Sequence, residues 1–171
     1  MDLLDFQPVI KTRATVLKSA VNKLTDPVVM LADIGPFESG PPLHFHPNQT
    51  ETYEVLEGEV EFILSGKVIR LKPGEIINIP INTPHTFKNI TENWLKMKDT
   101  HIPALSFEEM MRDLHQLVIK SGKIKSFKDV KSLIYLSMLW IKYKDSQRSV
   151  DPPYFIMKIM AGIGKLTGFK I

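Results

Sequence analysis

Apolar and polar residues alternate in short runs along the first hundred residues, and turn residues separate the runs. In the clearest run Val60, Phe62 and Leu64 alternate with Glu59 and Glu61. Such alternation places one set of side chains in a core and the other in water. Many short runs at this spacing predict an antiparallel β-sandwich or barrel. The predicted strands are 28–32, 43–46, 52–56, 59–64, 67–72, 76–79, 85–89 and 94–100.

The period of the pattern changes from strand-like to helix-like near Pro103. Ser106 followed three residues later by Glu109 is typical of a capping box, and Gly122 suits the position after the helix end. A second helix is predicted to start between Ser126 and Asp129.

A third helix is predicted to open at Asp151-Pro152-Pro153, because proline suits the first helical turn, and to end at Gly168. The fold class we predict is mainly β, an antiparallel β-barrel or jelly roll followed by C-terminal α-helices. The predicted domain division is 1–102 for the barrel and 103–171 for a helical extension packed on the barrel or on a dimer partner.

The amino-acid composition limits the kinds of functional site that the chain can form. The 171 residues are 43% hydrophobic, which suits a sizeable core, and the chain has no cysteine. Disulfides, thiolate metal sites and thiol nucleophiles are therefore excluded, so any metal must bind to His, Asp, Glu or backbone oxygen. Residues 1–100 carry 10 basic and 13 acidic side chains, whereas residues 101–171 carry 12 and 6. The basic excess therefore lies in the tail.

The beginning of the chain lacks the basic-then-apolar order of a signal peptide. The sequence also contains no apolar run long enough to span a bilayer. We therefore expect a cytoplasmic protein.

Histidine and glutamate residues form the candidate metal site. His44 and His46 are two residues apart, so both imidazoles point to the same face of a strand. Glu51 lies at an odd separation from them, but residues 47–50 have turn chemistry and can bring its carboxylate back. His85 begins a further strand. We predict that His44, His46, Glu51 and His85 converge in the interior and bind one divalent transition metal.

The spacing of these residues resembles the two motifs of the cupin family. His44, one residue, His46, four residues, Glu51, six residues and Gly58 resemble the first motif. Gly74, five residues, Pro80, Asn82, His85 and Asn89 resemble the second. Glu38 replaces the leading glycine of the first motif, and Asn82 stands where the second expects glycine. Asn82 can still adopt the left-handed backbone that the turn requires.

The resemblance implies a cupin barrel over roughly residues 28–100 with the four ligands bound to a metal. The metal could be iron, manganese, nickel, cobalt, copper or zinc, since ligand type does not choose among them. The whole layout is also similar to small single-barrel bacterial cupins of quercetin-dioxygenase-like type with a helical extension. The resemblance to that group extends into the tail, where it covers Pro152-Pro153 and the later residues Leu166, Gly168, Phe169 and Lys170.

Other polar residues have weaker claims. Tyr53 shares a face with Glu51 and could orient it or contact a ligand, although a place in the barrel core is the preferred interpretation. Phe87 and Asn89 share a face with His85. His101 and His115 lie outside the motifs, and we expect both to be exposed or half-buried. The glutamates are expected to form a solvated face: Glu54, Glu57, Glu59 and Glu61.

Three functions remain open. The leading hypothesis is a non-haem, dioxygenase-like enzyme acting on a small organic molecule, whose substrate would be anionic. A metal-dependent isomerase or lyase is the second, although no proton carrier is evident in the sequence. A binding or sensor module that relays ligand occupancy through the tail is the third.

Partners are predicted from the surfaces that the fold leaves exposed. Strand edges and an apolar tail both need cover, so we expect a homodimer. The segment around Phe155 and Ile159 could lie on an anionic membrane surface, but packing on the protein is the favoured interpretation. The tail lacks the interleaved aromatic and basic pattern typical of nucleic-acid binding.

Overall fold

A computed structural model describes residues 2–7, 9–126 and 129–171 of the chain. Over these ranges the chain forms ten strands and then helices, with an eleventh short strand between the last two helices. The strands are β1 Asp2–Asp5, β2 Thr12–Lys18, β3 Val28–Ile34, β4 His44–Phe45, β5 Thr50–Glu57, β6 Val60–Leu64, β7 Lys67–Leu71, β8 Ile76–Ile79, β9 His85–Asn89, β10 Leu95–Ile102 and β11 Arg148–Ser149. The α-helices are α1 Phe107–His115, α2 Val130–Lys142 and α3 Tyr154–Leu166.

The strands form two antiparallel sheets. One has the order β1-β2-β3-β10-β5-β8 and the other the order β11-β4-β9-β6-β7. The two sheets face each other but do not join into a closed barrel within the described residues. The mainly β jelly-roll prediction is therefore confirmed in its open, two-sheet form.

The strand predictions agree with the structure from β3 to β10, with small differences at the ends. The sequence interpretation missed β1, β2 and β11. In β2 only Ala14 and Val16 are buried, so its alternation is short. The predicted last strand stopped at Thr100, whereas β10 continues to Ile102, which matters for the site described below.

The first helix begins where the sequence predicts, with Ser106 at the N-cap position. The expected capping box is not formed, since the Ser106 side chain makes no capping hydrogen bond and Glu109 instead pairs with Lys23. The helix continues through a π-helical turn, Gln116–Lys120. Gly122 follows with a positive φ of 57°, as expected for a residue after a helix end.

The remaining helices also have identifiable starts. Asp129 caps α2 by accepting a hydrogen bond from the Ser132 amide, while Phe127 and Lys128 of the predicted start lie outside the described residues. The sequence predicted proline in the first helical turn of α3. Pro153 instead occupies the N-cap position, one residue before that turn. Gly168 ends that segment with φ at 84°. Among the described residues, none of the helices has the length and apolarity needed to cross a membrane.

Two hydrophobic cores hold the molecule together. One fills the space between the two sheets and includes Val55, Phe62 and Met97. The other joins the first sheet to the tail, with Val16 packed in the same cluster as Leu139. The helical tail therefore packs on the β-sheets, and each buried large side chain contributes roughly 1.5–3 kcal/mol. The division at residue 102 itself stays a prediction.

Candidate metal centre

The four predicted ligands lie together between the sheets. His44 is on β4 and is paired in register with His85 on the neighbouring β9. Glu51 is on β5 in the opposite sheet, so the chain changes sheet across the turn that follows His46. This change of sheet explains why Glu51 can lie at an odd separation from the histidines. One ligand atom from each residue lies within 4.8 Å of those of the other three.

Hydrogen bonds to backbone carbonyls fix the orientation of the three imidazoles. Nδ1 of His44 donates to the Pro42 carbonyl at 2.9 Å, and Nδ1 of His85 donates to the Thr83 carbonyl at 2.9 Å. Nδ1 of His46 donates in the same way to a tail carbonyl. A carbonyl can only accept, so each Nδ1 carries a proton. In a neutral imidazole, Nε2 is then left with a lone pair that can bind a metal.

The donor atoms inside the cluster are those that lack other partners. Nε2 of His46, Nε2 of His85 and Oε2 of Glu51 are buried and accept or donate no hydrogen bond within the described part of the chain. Glu51 Oε2 is nevertheless 3.4 Å from Nε2 of His46 and 2.7 Å from Nε2 of His85. Electron-rich atoms this close need a positive charge to hold them together. A divalent metal meets that requirement, so the residues fit such an ion.

Electrostatics favour the protonation state that a ligand needs at His44 and Glu51, and oppose it at His85. Burial, reinforced by His85 and His46, holds the pKa of His44 well below 6.5, so that imidazole is neutral at neutral pH. Burial raises the pKa of Glu51, but the neighbouring His46 and His101 outweigh it and hold the pKa well below 4.5. Burial lowers the pKa of His85, but Glu51 outweighs burial and raises it. A metal would therefore have to displace a proton from His85, because a protonated Nε2 has no lone pair to offer.

A second group at the site was missed from the sequence. His101, expected to be exposed or half-buried, is completely buried, and that expectation was wrong. Its Nε2 donates to Asp99 Oδ2 and lies 3.2 Å from Glu51 Oε1. Burial lowers the pKa of His101, but the two carboxylates outweigh it and raise the pKa to about 10. Alternation along β10 could have found these residues, because Asp99 and His101 share the inner face with Met97.

The helical tail covers this side of the centre. The Phe107 ring from α1 stacks on His101 with centroids 3.6 Å apart. β11 pairs with β4 and places Ser149 beside His44. Nδ1 of His46 donates to the carbonyl of Ser146 at 2.6 Å. The tail thus contributes contacts to the centre as well as to the core.

The other candidate residues have structural roles. Tyr53 is buried beside the Phe62 and Phe87 rings, and burial, helped by Asp99 and Glu51, raises its pKa well above 10. Asn89 donates from Nδ2 to the carbonyls of Ile34, Gly35 and Asn93, so it fixes a loop. His115 is half-buried, as expected. Three of the four glutamates pair with cations at the surface: Glu54 with Lys98, Glu57 with Lys96 and Glu61 with Arg70.

The departure from the second cupin motif is accommodated by the backbone. Asn82 has a φ of 60°, the left-handed conformation expected of it. Near the first departure, Gly40 packs so closely on Phe87 that an added Cβ would lie 2.6 Å from the ring.

Comparison with known proteins agrees with this geometry. Residues 30–101 match the family model described as the cupin domain. Residues 30–101 therefore form a cupin domain. A 71-residue stretch of the chain, 42% of its length, is 35% identical to quercetin 2,3-dioxygenase of Bacillus subtilis. That stretch spans only 20% of the length of the relative.

Solved structures show the same fold. The structure of KdgF from Halomonas sp. superposes with a TM-score of 0.52 and 20% identity, covering 60% of this chain and 88% of that one. At 20% sequence identity, this superposition shows that the two proteins share a fold.

Proposed function

We propose that this cupin is a metal-dependent, dioxygenase-like enzyme that acts on a small organic anion. The observation that carries the proposal is the convergence of buried donor atoms from His44, His46, Glu51 and His85. The similarity of a 71-residue stretch of the chain to a quercetin 2,3-dioxygenase supports the dioxygenase-like class. Iron, manganese, nickel, cobalt, copper and zinc all suit this donor set.

The protein residues set the charge of the centre. Three neutral imidazoles and one carboxylate carry a charge of −1, so a divalent ion would leave a net positive charge. When bound, such a metal supplies a Lewis-acidic centre that attracts a carboxylate, enolate or phenolate and suits reaction with dioxygen. The surrounding apolar core excludes water and strengthens that attraction.

His101 acts on the ligand Glu51. Nε2 of His101 lies 3.2 Å from Oε1 of Glu51 and donates to Asp99 at the same distance. It therefore orients the Glu51 carboxylate toward the imidazoles. Nδ1 of His101 is buried without a hydrogen-bond partner among the described residues, so it can donate to a ligand or a water. The ligands are buried, so a substrate can reach these atoms only when part of the surrounding structure moves.

His101 also favours a second candidate function. An isomerase or lyase needs a positioned proton carrier, and the sequence alone offered none. Buried His101, held by Asp99, is such a carrier beside the centre. Metal-dependent isomerisation or elimination is therefore the alternative.

Metal content provides the first test. We expect about one transition-metal ion per chain in the protein as isolated, measured by elemental analysis. Glu51→Gln and His85→Gln should lose most of it, while the control His115→Gln should retain it. Full metal content in both ligand variants would contradict the proposed site.

Turnover provides the second test. Protein loaded with iron, manganese or nickel should consume dioxygen in the presence of a phenolic or diketone substrate. Turnover under strict anaerobiosis would instead select the isomerase or lyase. Retention of a small molecule without turnover by any metal form would contradict both and favour a binding or sensor module.

A further inference from the structure

Helix α3 carries apolar side chains on two opposite faces. Its inner face packs on α2, where Met157 is buried and accepts a weak hydrogen bond from Ser137. Gly164 lies so close to α2 that an added Cβ would be 2.6 Å from the Ile134 side chain. Packing on the protein, favoured from the sequence for this segment, therefore accounts for one face of the helix.

The outer face of α3 is exposed. It consists of Phe155, Ile159, Ile163 and Leu166, which are 61%, 56%, 47% and 90% exposed. Their spacing of four, four and three residues places them in one stripe along the helix. We call these four residues the outer stripe. Scattered apolar residues are ordinary on a protein surface, but a continuous stripe on one helix marks an interaction surface.

Basic residues border the outer stripe. Lys158 and Lys165 are exposed and, at 100° per residue, lie together along one side of it. Residues 152–171 contain three lysines and no acidic residue. Lys158 Nζ lies 5.0 Å from the Tyr154 ring, and the Arg148 guanidinium approaches the same ring at 5.5 Å. The border of the stripe is therefore positively charged.

We propose that the outer stripe of α3 docks on an anionic lipid surface. An amphipathic helix with an apolar face and bordering lysines lies in the headgroup region, with its apolar side chains in the acyl boundary. The lysine stems extend toward the headgroups, where the ammonium groups meet lipid phosphates and carboxylates.

The positive charge beside the outer stripe favours a lipid surface over a second copy of this chain as its partner. A two-fold interface pairs a patch with the same patch on the partner. Two outer stripes packed antiparallel would bring lysine against lysine, and the sequence of this segment supplies no carboxylate to compensate. Anionic headgroups supply the missing charge. The expected homodimer would then use other surfaces, such as the sheet edges.

Vesicle sedimentation of the full chain tests the proposal, which is independent of the enzyme function. The chain should sediment with phosphatidylcholine vesicles containing about one third phosphatidylserine, and far less with pure phosphatidylcholine. Lys158→Glu with Lys165→Glu should lower the partition coefficient by about tenfold or more. Ile159→Ser with Leu166→Ser should lower the partition coefficient similarly, because it removes two apolar side chains from the outer stripe. Both side chains are exposed, so the substitutions should leave the fold intact.

The matched control is Val68→Ser with Ile76→Ser, which removes two side chains of similar exposure (60% and 55%) from the sheets. This control should sediment like the unchanged chain. Equal binding to neutral and anionic vesicles, or binding to neither, would overturn the proposal. So would a dimer, detected by light scattering, that dissociates when Ile159 and Leu166 are changed.

Discussion

The carbonyl of Ser146 in the tail accepts a hydrogen bond from Nδ1 of His46 at 2.6 Å, although the two residues are one hundred positions apart. This bond fixes the tautomer in which Nε2 of His46 faces the other ligands. The segment between α2 and β11 therefore contributes to the candidate metal centre. Ligand binding and the position of the tail are expected to be coupled through it.

The coupling predicts a change in hydrogen exchange. Metal loading should slow amide exchange in residues 146–151 by about tenfold or more, because opening this segment would break the bond to a ligand. Val150 donates its amide to the Leu43 carbonyl at 2.9 Å, so it reports this opening directly. Mass spectrometry of the metal-free and loaded chain measures the effect. Residues 163–171 are the internal control, and equal slowing there would contradict a local coupling.

His101 is predicted to tune the metal without binding it through its own side chain. His101→Gln removes the charge that orients Glu51 and should weaken metal affinity by about 10- to 100-fold. Competition with a fluorescent chelator measures the affinity, and circular dichroism checks the fold. His115→Gln is the matched control, since His115 contacts the Phe6 ring away from the centre. Unchanged affinity in folded His101→Gln would contradict the orienting role.

The convergence of the four candidate ligands could be predicted from the sequence, for physical reasons. His44 and His46 share a face by strand parity, and turn residues after them permit the change of sheet that returns Glu51. Asn82 was expected in a left-handed conformation and adopts it. These features depend on local chemistry, which a single sequence displays.

Features that depend on distant contacts could not be predicted. The two-residue strand β11 exists because Arg148 and Ser149 pair with β4, far away in sequence. The role of Phe107 also depends on a distant contact. Its sequence context shows only an apolar helix residue, whereas the fold stacks its ring on His101. His101 is different, because extending the β10 alternation by one residue would have placed it on the inner face.

Two glycines of α3 provide a matched test of its packing on α2. A Cβ at Gly164 would lie 2.6 Å from Ile134 and 2.9 Å from the Met138 sulfur, whereas a Cβ at Gly162 would meet nothing within 4 Å. Gly162→Ala should therefore stabilise the protein by about 0.5–1 kcal/mol through helix propensity. Gly164→Ala should destabilise it by about 1–3 kcal/mol through overpacking. Urea denaturation measures both, and equal effects would contradict the close contact.

Asp113 links α1 to α2 and predicts a pH-dependent stability. Lys142 and the Tyr143 hydroxyl donate to its Oδ2 at 2.6 and 2.7 Å. Burial raises the pKa of Asp113, but these hydrogen bonds outweigh burial and leave the pKa below 3.8. A lowered carboxyl pKa stabilises the fold above the unfolded value, and this contribution is lost as pH falls through the folded pKa.

Asp113→Asn should therefore lower the free energy of unfolding by about 1 kcal/mol near neutral pH, a modest value because the pair is partly exposed. The difference from the unchanged chain should shrink as pH falls below about 3.8, where the carboxyl of the unfolded chain is protonated. Denaturation across this range measures it. Asp145→Asn is the control, because Asp145 is exposed and its carboxylate lies as far as 4.0 Å from the Arg148 guanidinium. A difference that stays constant as pH falls would show that Asp113 acts through its shape and hydrogen bonds, not through its charge.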